Sequence, residues 1–151
     1  MTEVQWFGHQ MRVRYAETDQ MGVVYHTNYL NWFEIGRTEL IRELGYPYRT
    51  IEDKGLLLPV VEADIKFLKP ARYDDLVTVY TRVLEKSSVR LHFTYEIRRE
   101  NEGAAASAPD ERPGDLLVTG TTRHVWVNPS WKPIRIDKEA PELWQLLSKY
   151  S

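Results

Sequence analysis

The sequence predicts a single α+β domain in which an antiparallel sheet packs against one long helix. One segment near the N-terminus carries apolar residues at steps of three and four, which is the period of an amphipathic helix. Four later segments alternate apolar and polar residues or are rich in β-branched residues, which is typical of strands. A length of 151 residues fits one domain. An early helix followed by successive strands favours the α+β class.

The first strand is predicted over residues 11–15, where "MRVRY" alternates apolar and polar side chains. The long helix is predicted over residues 28–44, with an apolar stripe made of Tyr29, Phe33, Gly36, Leu40 and Leu44. We expect Thr27 or Asn28 to cap its start, and Gly45 and Pro47 to end it. Because Gly36 lies inside the stripe, we expect the helix to approach the sheet closely there.

The strands follow the helix. "LLLPVVEADIKFL" predicts an edge strand or a strand that starts after Pro59, and "ARYDDLVTVYTRVLEK" predicts a turn and then a strand. In "VRLHFTYEIRRE" the inward residues are Val89, Leu91, Phe93, Tyr95 and Ile97, and "LLVTGTTRHVWV" is the last strand. Residues 101–115 predict an exposed loop, and residues 141–150 a short helix with Leu143, Trp144 and Leu147 inward. One helix covers one face, so a second subunit is an economical cover for the other.

The composition excludes several classes of function. The 20 basic and 22 acidic residues give a net charge of −2, so we expect no nucleic-acid partner. The absence of cysteine excludes disulfides, thiolate nucleophiles and cysteine-bound zinc, and it is compatible with the cytoplasmic location that we expect. The start of the chain does not resemble a signal peptide, and the apolar runs are too short for stable membrane insertion.

The motifs exclude further chemistry. The sequence contains neither a G-x-S-x-G motif nor a glycine-rich phosphate loop. Each of the four histidines stands alone, without metal-ligand spacing, so we expect no metal and no cofactor. His92 and His124 are expected to be structural or to face solvent. A carboxylate, a histidine and backbone dipoles remain for catalysis.

The stretch "ETDQMGVVYHTNYLNWFE" places Asp19 just upstream of the predicted helix start. The first N–H groups of a helix lack intrahelical acceptors and can hold a carbonyl oxygen that is becoming an oxyanion. Asp19 could then attack an activated ester or remove a proton from water. In the alternative interpretation, Asp19 only caps a turn or the helix. Residue chemistry alone leaves both interpretations open.

The stretch "RYAETDQMGVVYHTNYLNWFEIGRTELIRELG" closely resembles the signature of the hot-dog-fold acyl-CoA thioesterases. It is most similar to the 4-hydroxybenzoyl-CoA thioesterase branch and its broader bacterial relatives, and "FLKPARYDDLV" also resembles a segment of that family. The resemblance implies a hot-dog fold, in which an antiparallel sheet wraps around one long central helix, with a short C-terminal helix here. His26 replaces the tyrosine of the aromatic-acyl enzyme and favours the broader group. Glu39 would suit a branch with a helix glutamate, but the intact "ETD" argues against it.

The resemblance implies hydrolysis of acyl-CoA without a cofactor, with Asp19 as the catalytic carboxylate and the backbone of His26 as the oxyanion donor. The His26 side chain either assists or neighbours the cap. Tyr25, Asn28 and Glu34 match positions that shape the site, although Asn28 is equally explained as a plain cap. Glu34 is equally explained by a surface or packing role, and we expect Arg37 to pair with it along the helix.

Coenzyme A phosphates would bind basic residues at the rim of a site. Lys86, Ser88 and Arg90, in the turn "EKSSVRL", are the candidates by residue type and by resemblance, and the alternative is a solvated hairpin turn. The family also implies a homo-oligomer, a dimer or a tetramer, with the site between subunits. Two other functions stay open: hydrolysis of acyl groups on acyl-carrier protein, and acyl-CoA binding without catalysis.

Overall fold

The structure, a computed structural model, describes residues 5–100 and 112–151. The strands are β1 (Phe7–Arg12), β2 (Val60–Phe67), β3 (Leu76–Lys86), β4 (Arg90–Arg99) and β5 (Asp115–Val125). The helices are α1 (Asn28–Glu43), α2 (Tyr48–Asp53), α3 (Ile136–Glu139) and α4 (Pro141–Leu146), with single 3₁₀ turns at Tyr15–Glu17 and Leu147–Tyr150. Within the described ranges, no helix is long and apolar enough to cross a bilayer.

The five strands form one antiparallel sheet in the order β1-β3-β4-β5-β2. Every second residue of β4 is buried, namely Leu91, Phe93, Tyr95 and Ile97, which confirms the predicted inward face apart from Val89. In α4 and the turn after it, Leu143 and Leu147 are buried and Trp144 is half-buried, as predicted. Most of the predicted loop over residues 101–115 lies outside the described residues, and β5 already begins at Asp115.

Two glycines allow α1 to lie close to the sheet. A Cβ on Gly36 would stand 2.5 Å from Thr81 Oγ1 and 2.8 Å from Val79 Cγ1. On the sheet side, a Cβ on Gly120 would stand 2.5 Å from Cε2 of Phe33. The Phe33 ring then stacks on Tyr95, with 4.2 Å between centroids. The predicted close approach at Gly36 is therefore confirmed.

The first strand was predicted too late in the chain. β1 covers Phe7–Arg12, and Tyr15 lies in a 3₁₀ turn instead. The chain leaves the sheet because the Glu17 carboxylate accepts the backbone N–H of Arg14 at 2.8 Å, a local bond that competes with strand pairing. α2 was not predicted. α2 begins just after Pro47. The proline that was expected to end α1 therefore also directly precedes α2.

β2 is an edge strand with little cover. Its residues are exposed apart from the partly buried Ile65, and Val61 is 61% exposed. It begins directly after Pro59 and, within residues 5–100 and 112–151, pairs only with β5, as the prediction of an edge strand required. No strand of those ranges pairs with its other edge, whose backbone groups can pair with a further strand.

His124 lies in a buried polar network rather than at the surface. Its Nδ1 is 3.2 Å from the carbonyl oxygen of Leu58, and its Nε2 is 2.8 Å from Thr122 Oγ1. The Thr122 hydroxyl is in turn 2.6 Å from the hydroxyl of Tyr95. Burial, with the nearby Arg37 guanidinium second, lowers the pKa of His124 to about 4. The ring is therefore neutral at pH 7, which agrees with a structural role.

This lowered pKa predicts acid sensitivity of the fold. The unfolded chain protonates His124 near pH 6.5, whereas the folded chain resists protonation until about pH 4. The free energy of unfolding should therefore fall as the pH drops through this window, by up to about 3 kcal/mol. Urea unfolding across the window measures the loss, and His124→Gln should flatten it. His9→Gln, on β1, is the control, and a His124→Gln profile as steep as wild type would contradict the prediction.

Candidate active site

Glu17 ties the loop before α1 to the helix. Its side chain is only 12% exposed, and its Oε2 accepts the indole N–H of the fully buried Trp32 at 2.7 Å. Its backbone carbonyl accepts two further bonds, each of 2.9 Å, from the backbone N–H of Tyr25 and the side-chain amide of Asn28. One residue thus fixes both ends of the segment that carries Asp19.

Asp19 opens a tight turn inside this loop. The N–H of Asp19 donates to the carbonyl of Val23 at 2.9 Å, and the N–H of Gly22 donates back to the Asp19 carbonyl at 3.0 Å. Gly22 closes the turn at a φ of 79°, where glycine is favoured. Asp19 Oδ1 accepts the N–H of Met21 at 2.9 Å. No described residue donates a hydrogen bond to Oδ2, so that oxygen remains available for chemistry.

The start of α1 has no side-chain cap, so the predicted capping by Thr27 or Asn28 is wrong. The Asn28 side chain points to the Glu17 carbonyl instead. A helical turn precedes α1, in which the N–H groups of Asn28 and Tyr29 donate to the carbonyls of Tyr25 and His26. Among the described residues, the backbone N–H groups of His26 and Thr27 have no acceptor. They are the free donors at the positive end of the helix dipole.

Asp19 and His26 line the same cavity, of about 240 Å³. Its walls come from the Asp19 loop, the first turn of α1 and the segment after β2: Asp19, Met21, Val23, Val24, His26, Tyr29, Phe67, Leu68, Lys69 and Pro70. The His26 ring is exposed and packs on Tyr25 and Phe67, at centroid distances of 4.6 and 6.2 Å. Asp19, whose Oδ2 accepts no hydrogen bond from the described residues, and His26, beside the uncapped start of α1, thus line one cavity. A carboxylate beside helix N–H donors is an arrangement that acyl transfer can use.

Glu34 lies in a different cavity, of about 450 Å³, on the flank of α1. Arg37 and Tyr48 share this cavity, and no ion pair joins Glu34 to Arg37, so the expected pairing along the helix is wrong. The Arg37 guanidinium lies beside the hydroxyls of Tyr48 and Tyr95 instead. Tyr25 is 46% exposed beside His26, next to the first cavity rather than in its wall.

The candidate phosphate-binding residues lie at the opposite end of the sheet. β3 begins just after Asp75, which lies near the site, and ends at Lys86. These two residues are eleven positions apart, which corresponds to about 35 Å along an extended strand. Lys86 Nζ donates to Trp144 O and Ser148 Oγ, both at 2.6 Å, and burial lowers the pKa of this ammonium. Ser88 accepts the N–H of Ile136 through its carbonyl, and Arg90 is exposed. One chain does not bring these three residues to Asp19, so their predicted role requires a neighbouring subunit.

Comparison with known proteins identifies the family. A family model described as "Thioesterase-like superfamily" matches residues 13–140. The chain belongs to this superfamily. The "Putative acyl-CoA thioesterase" of Bacillus subtilis is 39% identical to it over 134 residues, which is 88% of either chain. The acyl-CoA thioesterase of Haemophilus influenzae is 37% identical over 94 residues, or 62% of this chain and 69% of that protein.

Solved structures of thioesterases share the architecture. The DHNA-CoA thioesterase of Staphylococcus aureus superposes with a TM-score of 0.82 at 34% identity, over 95% of this chain and 89% of that one. The predicted hot-dog fold, the family and the class of thioester hydrolase are thereby confirmed. The roles of the individual site residues stay predictions.

Sequence reasoning assigned no role to Glu17 and Tyr29 in this thioesterase. Glu17 stands two residues before Asp19 in the sequence, but its bond to Trp32 depends on tertiary structure. Tyr29 was placed in the apolar stripe of α1, and its phenolic hydroxyl was the one signal of a polar role. Within the described ranges, no cluster of three or more histidine, aspartate or glutamate side chains is arranged to hold a metal ion.

The bond between Glu17 and Trp32 can be measured as a coupling energy. Glu17→Ala leaves the buried indole N–H without an acceptor, which should lower the free energy of unfolding by about 2 kcal/mol. Trp32→Phe removes the donor, so the double variant should lose less stability than the sum of the single losses. Urea unfolding of all four proteins gives the coupling, with Glu139→Ala, at an exposed site, as the control. Additive losses would show that the bond contributes nothing.

Proposed function

We propose that this protein hydrolyses acyl-CoA thioesters, with Asp19 as the reacting carboxylate and the backbone N–H of His26 as an oxyanion donor. The observation that carries the proposal is that Asp19 and His26 line one cavity. Asp19 Oδ2 accepts no hydrogen bond from the described residues, and His26 lies at the uncapped start of α1. The names of the relatives from B. subtilis and H. influenzae support acyl-CoA as the substrate.

The chemistry needs only groups of the chain and water. In one route, Asp19 Oδ2 removes a proton from water, whose oxygen attacks the thioester carbon. In the other, Oδ2 attacks that carbon and water then cleaves the anhydride. In both routes the carbonyl oxygen gains negative charge facing the helix N–H groups, and the carbon–sulfur bond then breaks. Coenzyme A leaves as a thiolate and takes up a proton. The proposed reaction uses no cofactor.

A thiol-release assay determines which acyl group the protein prefers and whether coenzyme A or acyl-carrier protein carries it. Aliphatic acyl-CoAs of short, medium and long chain should be compared with aromatic ones and with DHNA-CoA, for which the S. aureus thioesterase is named. Acyl groups on acyl-carrier protein form a further arm. Faster thiol release from acyl-carrier protein would identify acyl groups on that protein as the preferred substrate. Binding of acyl-CoAs without release of thiol from any of them would show an acyl-CoA-binding protein instead of an enzyme.

Asp19→Asn tests the reacting group. Asparagine keeps an oxygen that can accept the N–H of Met21, so the turn and the melting temperature should be retained. The amide neither attacks nor removes a proton, and kcat should fall by at least about a hundredfold. Thiol release by purified protein measures the change. Asp53→Asn, at an exposed position of α2, is the matched control and should keep the wild-type rate. Wild-type turnover by Asp19→Asn would exclude Asp19 as the catalyst.

We further propose a homodimer that forms through β2. No described strand pairs with one edge of β2, which exposes apolar side chains at Val61 and Phe67, and Leu68 directly after it is exposed too. A twofold axis at this edge pairs β2 antiparallel with its own copy, which is the common symmetry of dimers. The Phe67 end, which lines the Asp19 cavity, then lies beside the start of the partner's strand. The site is completed by the second subunit, and pairs of dimers would give a tetramer in the cytoplasm.

Val61→Lys tests this interface. A charge at the β2 edge disfavours pairing, so the dimer should dissociate in sedimentation equilibrium at micromolar concentration. Thiol release should fall with dissociation, because each site loses its second wall. Leu84→Lys introduces the same charge at a similarly exposed apolar residue of β3 and should leave both measurements unchanged. A dimeric Val61→Lys variant with full activity would contradict the proposal.

A further inference from the structure

The Tyr29 hydroxyl is a polar group that the proposed reaction has not used. Tyr29 occupies the second position of α1 and is 3% exposed. Its ring packs edge-on against Trp32, at 5.2 Å between centroids, and lies 5.7 Å from the Phe67 ring. It lines the same cavity as Asp19 and His26. The side chain is therefore held rigidly in the wall of the site.

The hydrogen bonding of this hydroxyl is half complete. Its oxygen accepts the backbone N–H of Ala71 at 3.1 Å, which fixes its position against the segment that follows β2. Among the described residues, no acceptor takes the hydroxyl proton. A phenol with one accepted bond and a free proton is a preorganised donor, and buried tyrosines generally use that proton.

We propose that the Tyr29 hydroxyl is a catalytic residue of the thioesterase reaction, donating its hydrogen bond to the thioester carbonyl oxygen as that oxygen becomes an anion. It acts together with the backbone N–H of His26, so that a side chain and the helix start form the two donors of the oxyanion site. Neither the proton nor any electron pair leaves Tyr29. The bond strengthens in the transition state and weakens when the carbonyl reforms. This inference rests on the proposed hydrolysis of acyl-CoA.

The charges around the hydroxyl keep it protonated. Burial is the main cause that raises the pKa of Tyr29 above its ordinary value, and the carboxylates of Asp75 and Asp19 raise it further. Asp75 is itself paired with Arg99 at 3.3 Å. Lys69 and His26 line the cavity from the other two elements that surround the ring. The donor form is therefore present throughout the neutral range.

Tyr29→Phe removes the donor and keeps the ring. We expect kcat for thiol release to fall by about a hundredfold, the loss typical of one oxyanion donor. Two analogues separate catalysis from structure. A trifluoromethyl ketone analogue of the acyl-CoA, hydrated at the carbonyl carbon, should bind at least tenfold more weakly to the variant. A thioether analogue without the carbonyl oxygen should bind both proteins equally. Equal weakening of both analogues would assign Tyr29 a structural role.

Fluorinated tyrosine at position 29 keeps the proposal testable if Tyr29→Phe folds poorly. Ring fluorine lowers the phenol pKa but leaves the oxygen able to accept the Ala71 N–H. The alkaline limit of kcat should move to lower pH by the same interval as the phenol pKa, because only the protonated phenol donates. If the oxygen served only as an acceptor, the limit would not move, and the inference would be overturned.

A control and the parent activity complete the design. Tyr150→Phe removes the hydroxyl that donates to Glu43 at the far end of α1, and it should keep the wild-type kcat. If the wild type released no thiol from any acyl-CoA, the proposed function itself would be wrong. If the wild type released thiol and Tyr29→Phe had the same kcat, only the inference about Tyr29 would be wrong.

Discussion

The close contact between α1 and the sheet determines where everything else lies. The Phe33 ring occupies the space above Gly120, and β3 side chains occupy the space beside Gly36. Neither position has room for a Cβ, so the axis of the helix is fixed in distance and in rotation. Its first turn consequently stands over the end of the sheet where the segment of Phe67 to Ala71 passes. The N–H donors of the helix start are positioned by packing in the middle of the helix.

Polar bonds then bring the loop to this fixed helix. Glu17 connects it to Trp32 through a carboxylate and to Asn28 through a carbonyl. Asp19 is held only by its neighbours in the turn. Rigidity is thus concentrated around the Asp19 carboxylate, one oxygen of which accepts no hydrogen bond from the described residues. The flank of α1, with Glu34 and Arg37, and the far end of the sheet, with Lys86, are separate regions.

The sequence predicted those features that local patterns determine. The alternation in β4 identified its buried face, Pro59 marked the start of an edge strand, and Gly36 marked the close approach. The cap at Asn28 was wrong because an acceptor eleven residues upstream, the Glu17 carbonyl, takes the side-chain amide. Residue type and the family resemblance suggested phosphate binding at Lys86. The fold brings the C-terminal helix against its ammonium, and that role stays a prediction that requires a neighbouring subunit. Contacts between segments distant in the chain leave no local pattern to detect.

The site depends most on contacts of this kind, which no local sequence pattern predicts. Asp19 and His26 were recognised together through a family signature, and the structure places them in one cavity. Tyr29 follows the helical period as an apolar residue would, so its hydroxyl gave no periodic signal. Its relation to Ala71, 42 residues away, exists only in the folded chain.

The uncapped start of α1 also affects how the chain tolerates mutation. The backbone N–H at position 26 is present whichever residue occupies that position, because among the twenty amino acids only proline lacks a backbone N–H. Position 26 can therefore change in shape and polarity while the peptide N–H of the proposed oxyanion site persists. Substitutions at position 26 can therefore change which acyl groups the cavity wall accepts. The substrate preference changes in that case, while the backbone donor of the proposed reaction is kept.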